Sequence, residues 1–160
     1  MIICHGRSVA FIRKSTLVAV LFALATAGAQ AQVSGCNVTT VALGFGSYDV
    51  SAVSPLITSS RIEIRCASRT TLTIGIDGGN SLAGSTGSRA LRHVSSSDVL
   101  SYVIYQDTSL SQIWGNGLTS AGRSVVVTGA QTVFAYGVLP AGQDVRFGEY
   151  RDALSVVVLP

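Results

Sequence analysis

The sequence has few of the residues from which an active site is built. It contains no G-x-S-x-G nucleophile motif and no C-x-x-C pair, and past residue 31 its single histidine is His93. His93 lies beside Ser95 in a polar stretch, which is more typical of a solvated loop than of a catalytic base held by a third residue. We therefore predict that the protein is not an enzyme and has no catalytic residues.

Metal ligands with a recognisable spacing are also missing. Asp77, Asp98 and Asp107 lie near glycine or serine, but none of them begins a calcium-loop pattern. Aspartate is common in turns because its carboxylate accepts hydrogen bonds from nearby backbone N–H groups. We expect these residues to form turns, and we predict no metal and no cofactor.

A basic surface is lacking once the N-terminal segment is set aside. The isoelectric point is about 9.0, yet three of the eleven basic residues, Arg7, Arg13 and Lys14, lie in the first fourteen positions. The other eight, all arginine, are matched by eight acidic residues. With no net charge and no cluster of arginines, the remaining chain is not expected to bind nucleic acid.

The N-terminal segment has the anatomy of a secretory signal peptide. A positive region ends at Lys14, an apolar run covers Leu17–Ala25, and the small-residue site Ala29–Ala31 precedes Gln32. The apolar run is shorter than the roughly 20 residues that a spanning helix needs. We predict a signal peptide over residues 1–31, with cleavage after Ala27 as the alternative, and one domain over residues 32–160 without a membrane span.

Three cysteines are present, and Cys4 would leave with the signal peptide. Cys36 and Cys66 remain in a chain predicted to be exported, where disulfides form and persist. We predict a structural disulfide between them, worth roughly 3 to 4 kcal/mol on the chain-entropy estimate.

No window of helical length keeps a 3.6-residue apolar period past the signal peptide, whereas several short windows alternate. In Arg61–Cys66, Ile62, Ile64 and Cys66 lie on one face of a half-buried strand. The polar segment Ser51–Ser60 has room for a short strand, and Ser81–Ser88 is a glycine- and serine-rich loop. Strands are predicted over Cys36–Leu43, Arg61–Cys66, Thr71–Asp77, Ser101–Gln106, Ser124–Thr128, Thr132–Val138 and Ala153–Leu159. This pattern predicts an all-β, immunoglobulin-like β-sandwich.

The last strand raises the functional question. Leu154, Val156 and Val158 alternate with smaller or polar residues, so they should face the core. The sequence ends directly after them and offers no later strand to pair with. An apolar strand with an open edge is a template for another chain, so we predict a donor-strand acceptor edge at these three residues.

Several short motifs, taken in order, carry a family resemblance. They are Phe45-Gly46-x-Tyr48, Ile76-Asp77-Gly78-Gly79, Arg89-Ala90-Leu91, Trp114-Gly115, Tyr136-Gly137-x-Leu139-Pro140 and Gly148-x-Tyr150-x-Asp152, together with the segments around both cysteines and Leu100–Asp107. This order and spacing resemble the spore coat protein U domain family over essentially the whole chain after the signal peptide.

The resemblance implies a structural role at the cell surface. Members of that family include secreted spore coat protein U and subunits of archaic chaperone-usher pili, whose immunoglobulin-like sandwich lacks its last strand. It implies export through the periplasm to the cell surface or secretion, with a periplasmic chaperone, an outer-membrane usher and neighbouring pilus or coat subunits as partners. Their edges are completed by strand addition.

The segment before the first cysteine departs from the family pattern, and an alternative function is open. Such pilins usually carry ten or more residues before the first cysteine, whereas cleavage after Ala31 leaves only four, Gln32 to Gly35. The subunit should then accept a donor strand without giving one, as at a fibre tip. The alternative is a secreted carbohydrate-binding or adhesive module that uses Trp114, as a stacking platform, together with the loop tyrosines.

Overall fold

The computed structural model describes residues 2–5, 30–33, 35–79, 85–119 and 122–160. Every named element in these residues is a β-strand, and no helix able to span a membrane occurs among them. The strands are β1 Ile2–His5, β2 Gln30–Val33, β3 Cys36–Thr40, β4 Leu56–Cys66, β5 Thr70–Ile76, β6 Arg89–His93, β7 Val99–Tyr105, β8 Arg123–Val127, β9 Ala130–Leu139, β10 Tyr150–Arg151 and β11 Ser155–Leu159.

The strands form two antiparallel sheets that enclose one core. One sheet has the order β1-β11-β5-β8, and the other has the order β10-β6-β7-β9-β4-β3-β2. The predicted all-β sandwich is thereby confirmed. The centre of the larger sheet is the pairing of β4 with β9, which runs from Leu56 opposite Leu139 to Arg65 opposite Ala130.

The core follows the alternation seen in the sequence. In β4, Ile62, Ile64 and Cys66 are buried, and in β7 every second residue is buried. The most buried side chains come from both sheets, as a two-layer packing requires. They include Ile64, Leu72, Ile74, Tyr102, Ile104, Trp114, Val133 and Leu139.

The disulfide lies at one side of this core. Cys36 in β3 stands directly opposite Cys66 in β4, both residues are buried, and the structure joins them. A direct cross-strand pair brings two Cβ atoms to within about 5 Å of each other, so the strand register accounts for the pairing.

Several predicted strand bounds were wrong. The strand predicted at Cys36–Leu43 ends at Thr40, and β4 begins at Leu56 rather than Arg61. Beyond the seven predicted strands, β1, β2, β6 and β10 are present. Residues 81–84 of the predicted Ser81–Ser88 loop lie outside the described residues.

Candidate functional site

The last strand is held in place by the residue that follows β5. The backbone N–H of Asp77 donates to the carbonyl of Ser155 at 3.0 Å, and the N–H of Ser155 donates to Oδ1 of Asp77, also at 3.0 Å. From there β11 pairs with β5, with Val156 opposite Ile76 and Val158 opposite Ile74. Both backbone and side chain of Asp77 therefore fix the point where β11 begins, as expected of a turn aspartate.

The three predicted edge residues occupy different environments. Val158 is buried in the core, whereas Leu154 and Val156 are half-buried and pack against it. Leu154 precedes β11 instead of lying within it, and Val157 is buried as well. The predicted one-sided alternation is thus incorrect at Val157, because a strand whose two faces are both covered loses its two-residue period.

The outer edge of β11 is paired, in contrast to the open edge predicted for the last strand. The partner is β1, which runs antiparallel with Ile2 opposite Val158 and Cys4 opposite Val156. Strand β1 lies within the predicted signal peptide, residues 1–31, whereas the open edge is predicted for the domain that remains after cleavage. In the full chain, β11 therefore lies between β5 and β1.

A second strand from the same end of the chain lies beside β1. Strand β2 pairs with β3, with Ala31 opposite Val38 and Gln32 opposite Asn37. Gly35, with φ of 81°, reverses the chain between β2 and β3, and a positive φ is a conformation that glycine adopts without strain. Strands β1 and β2 contact each other. The predicted signal peptide therefore contributes residues to the edge strand of each sheet, β1 beside β11 and β2 beside β3.

A cleft lies next to the start of β11. Its lining combines apolar and aromatic side chains with a carboxylate and a guanidinium, from Leu43, Phe45, Leu91, Tyr102, Tyr150, Arg151, Asp152 and Leu154. Tyr102 donates its hydroxyl to Oδ2 of Asp152 at 2.6 Å, and Phe45 packs edge-on against the Tyr102 ring at 5.5 Å. Burial, and then the Asp152 carboxylate, raise the pKa of Tyr102, so the phenol stays protonated as the donor.

The polar centre behind this cleft is Arg89, which is 0% exposed. Its guanidinium donates to the backbone carbonyls of Asp77 at 2.7 Å, Thr86 at 2.8 Å, Ile76 at 2.8 Å and Trp114 at 2.7 Å. Burial lowers the pKa of Arg89, while Tyr102 and the nearby carboxylates oppose that shift. Arg89 therefore ties the end of β5, where β11 is anchored, to the Trp114 segment.

Sequence reasoning did not identify Arg89 as a buried residue. It appeared only as part of the family motif Arg89-Ala90-Leu91, and an isolated arginine between a serine and an alanine carries no periodic signal of burial. Arginine is almost never fully buried without partners, and here the partners are backbone carbonyls that no composition pattern reports.

Trp114 is unavailable as a sugar platform. It is 0% exposed, and its indole Nε1–H donates to the carbonyl of Ile74 at 2.8 Å. A stacking platform needs an exposed ring face. The carbohydrate-binding alternative therefore loses Trp114, one of the aromatic residues on which it rested.

His93 is not arranged as a catalytic base. It is the last residue of β6, where its Nδ1 accepts a hydrogen bond from the backbone N–H of Ser95 at 3.0 Å. Its Nε2 lies 3.4 Å from the carbonyl oxygen of Phe147, and its ring packs edge-on against Tyr150. These contacts attach the β6 end to the segment before β10, so the predicted solvated loop position is replaced by a structural one.

The two antiparallel sheets and the core between them define the class of all-β sandwich domains. Comparison with known proteins is consistent with that class. The Spore Coat Protein U domain model matches residues 21–157. The chain belongs to the Spore Coat Protein U domain family, as the motif order had indicated.

Two similar proteins are informative. Protein U of Myxococcus xanthus is 32% identical over 129 residues, which covers 72% of this chain and 70% of that protein. A chain of the crystal structure of a chaperone–tip adhesion subunit pre-assembly complex, from archaic chaperone-usher Csu pili of Acinetobacter baumannii, matches with a TM-score of 0.55 and 21% identity. That match covers 77% of this chain and 38% of the other, and it describes a shared fold.

Proposed function

We propose that the protein is a non-catalytic structural subunit of a surface pilus or coat, assembled by strand addition at the outer edge of β11. One observation carries this proposal: β11 takes up an antiparallel strand, β1, from outside the domain predicted to remain after signal cleavage. Once residues 1–31 are removed, the edge next to Val156 and Val158 needs a replacement strand. Strand addition supplies both the ladder hydrogen bonds and the apolar contacts.

The proposed partners are the proteins that would supply a strand to the outer edge of β11. The solved relative comes from a complex of a chaperone with a pilus subunit, which supports a periplasmic chaperone as the first occupant. An outer-membrane usher and the neighbouring subunits then complete the path to the cell surface. The disulfide between Cys36 and Cys66 suits an oxidising compartment such as the periplasm.

We further propose that the subunit accepts a donor strand without giving one, which places it at a fibre tip or in a non-polymeric coat complex. Cleavage after Ala31 leaves four residues before Cys36, and a typical strand needs five or six. Gln32 and Val33, moreover, fold back onto β3 in the full chain. Support for this position therefore comes from the shortness of the segment and from its pairing.

The test is a comparison of residues 32–160 with and without a fused donor strand. The fusion places a hairpin turn and a six-residue strand with valine at alternate positions after Pro160, so that the strand can lie antiparallel to β11. We expect the unfused domain to aggregate, because an uncovered apolar edge pairs with other chains. The fused domain should be monomeric by light scattering and should unfold cooperatively.

The matched control is the same fusion with the valines moved by one position. A one-residue slip turns the apolar set to the opposite face, so this control should rescue poorly. An unfused domain that is monomeric and folds cooperatively would contradict the proposal, as would equal rescue by both fusions.

A further inference from the structure

The outer face of the larger sheet carries a patch of apolar and aromatic side chains on its three central strands, β7, β9 and β4. Side chains in a strand point alternately to its two faces, and these are the ones turned away from the core. They are Ile57, Val103, Tyr105, Phe134, Tyr136 and Val138. Ile57 is 59% exposed and Phe134 is 47% exposed, and the other four are half-buried. A contiguous apolar patch of this kind marks a binding surface.

The strand register arranges the patch in two neighbouring rows. One row is apolar and consists of Val103, Val138 and Ile57. In the other row, Tyr105 stands opposite Tyr136, and Tyr136 stands opposite Ser59. Because directly opposite residues hold their Cβ atoms about 4.5 to 5.5 Å apart, the two tyrosines form one continuous aromatic surface.

The hydroxyl groups of these two tyrosines set them apart from the other three in the chain. Tyr48, Tyr102 and Tyr150 each donate to a carbonyl or carboxylate oxygen. Within the part of the chain that the structure describes, the hydroxyls of Tyr105 and Tyr136 bond to no protein group. A phenol hydroxyl both donates and accepts, so this face presents two polar groups directly beside apolar rings.

The charges at the border of the patch balance each other. Arg61 stands opposite Phe134, and its Nε–H donates to Oε1 of Glu63 at 2.8 Å. The six residues of the patch itself carry no charge. A ligand that matches this face is therefore uncharged and combines apolar surface with hydrogen-bonding groups.

The patch is small for a stable protein interface. Neighbouring strands lie about 4.8 Å apart and a strand rises about 3.3 Å per residue, so the patch measures about 10 Å from β7 to β4 and about 13 Å from Phe134 to Val138. This footprint is far below the roughly 800 Å² that each partner of a stable protein complex buries. A short stretch of a chain molecule fits it better than a second copy of the domain.

We propose that this face binds an uncharged β-linked polysaccharide, whose sugar rings stack on Tyr105, Tyr136 and Phe134. A sugar ring has an apolar C–H face and a rim of hydroxyls, which suits an aromatic ring with a polar tip. The two unpaired phenols then exchange hydrogen bonds with the sugar hydroxyls. An extended β-linked chain follows a row of opposite residues across the strands, whereas a coiled α-linked chain does not.

This surface is separate from the edge that the proposed function uses. Strand β11 belongs to the smaller sheet, and β7, β9 and β4 belong to the larger one. A subunit with a strand added to β11 therefore keeps the polysaccharide surface available. Failure of polysaccharide binding leaves the acceptor role of β11 intact, and failure of the donor-strand fusion leaves the surface intact.

The test measures binding of soluble oligosaccharides by the processed protein, purified from cells that export it. Cellohexaose and chitohexaose are the β-linked probes, maltohexaose is the α-linked control, and calorimetry gives the affinities. We expect both β-linked probes to bind and maltohexaose to bind at least about tenfold more weakly, a difference of about 1.4 kcal/mol. Absence of binding by both β-linked probes, or equal binding of all three, would overturn the proposal.

Substitutions then locate the binding surface. Tyr105→Ala and Tyr136→Ala should each lower the affinity about tenfold, because each removes a stacking ring and its hydroxyl. The matched control is Phe147→Ala, which removes a fully exposed aromatic ring outside the patch and should leave the affinity unchanged. Equal affinities in the two tyrosine variants and the control would refute the surface.

A second pair of variants covers the case in which the alanine variants do not fold. Tyr105→Phe and Tyr136→Phe keep both rings and remove only the hydroxyls, so each should lower the affinity roughly threefold through one lost hydrogen bond. Unchanged affinity in the doubly substituted protein would overturn the proposal. Light scattering gives the last outcome: a dimer that becomes monomeric in these variants, without oligosaccharide binding, would assign the face to a second copy instead.

Discussion

Replacement of Arg89 by methionine should strongly destabilise the domain, although Arg89 lies away from the outer edge of β11. The methionine retains much of the apolar stem but removes the guanidinium. Four backbone carbonyls then lose a charged donor, including those of Ile76 and Asp77 at the end of β5. Asp77 also holds the first residue of β11, so the loss reaches that strand.

The size of the effect follows from these contacts. A buried carbonyl left without a donor costs about 1 to 3 kcal/mol, and removal of one partner from a buried charged network costs about 3 to 5 kcal/mol. Because the freed carbonyls can relax or admit water, we expect a total of about 3 to 5 kcal/mol. That is a large part of the roughly 5 to 15 kcal/mol by which folded domains are stable.

The assay is denaturant unfolding of the donor-fused domain with and without Arg89→Met. The control is Arg61→Met, which removes an exposed arginine whose Nε lies 2.8 Å from Oε1 of Glu63. An exposed pair of this kind contributes about 1 kcal/mol or less. If Arg89→Met destabilised the domain no more than Arg61→Met does, the role assigned to the buried guanidinium would be refuted.

Two further predictions concern the strand and loop geometry. Gly75→Ala should lower the free energy of unfolding by at least about 2 kcal/mol, because the added Cβ would lie 1.9 Å from the carbonyl oxygen of Asn116. Gly44→Ala is the control. A Cβ added at Gly44 would meet no atom within 4 Å apart from its chain neighbours, so this change should alter stability by less than about 0.5 kcal/mol. The serine hydroxyls that donate to Asp107 hold the pKa of its carboxyl below the usual range, so its stabilising effect should be complete above about pH 4 and be lost as the pH falls through the folded-state pKa. Amide chemical shifts of the 107–112 loop should follow that titration in the unsubstituted protein and not in Asp107→Asn. If the shifts changed with pH in the same way in both proteins, titration of the Asp107 carboxyl would be excluded as their cause.

The parts of the fold that sequence reasoning predicted are those where one face of a strand is buried. Ile62 and Ile64 alternate with charged residues, and Leu72 and Ile74 alternate with threonine, so the sequence pattern predicts strands in the segments that form β4 and β5. Their periodicity reports burial directly, because side chains in a strand point alternately to its two faces. The all-β architecture follows from such segments.

The missed strands lack that signal for identifiable reasons. In β6, the adjacent residues Arg89 and Ala90 are both buried and the next three are half-buried, so the strand has no two-residue alternation for the sequence to show. Strand β10 has only two residues, fewer than a periodic pattern needs. Strand β1 lies in a segment whose basic and apolar composition predicts a signal peptide, and composition cannot show that such a segment also pairs with β11.

The central claim is that β11 of the exported protein pairs with a strand of another chain. The most direct measurement places a photoreactive amino acid at Val156 in cells that export the protein, followed by irradiation and mass spectrometry of the cross-linked peptides. Our account predicts that the processed chain cross-links to an extended segment of a chaperone or a neighbouring subunit. Cross-links confined to the processed chain itself, or none at all, would contradict it.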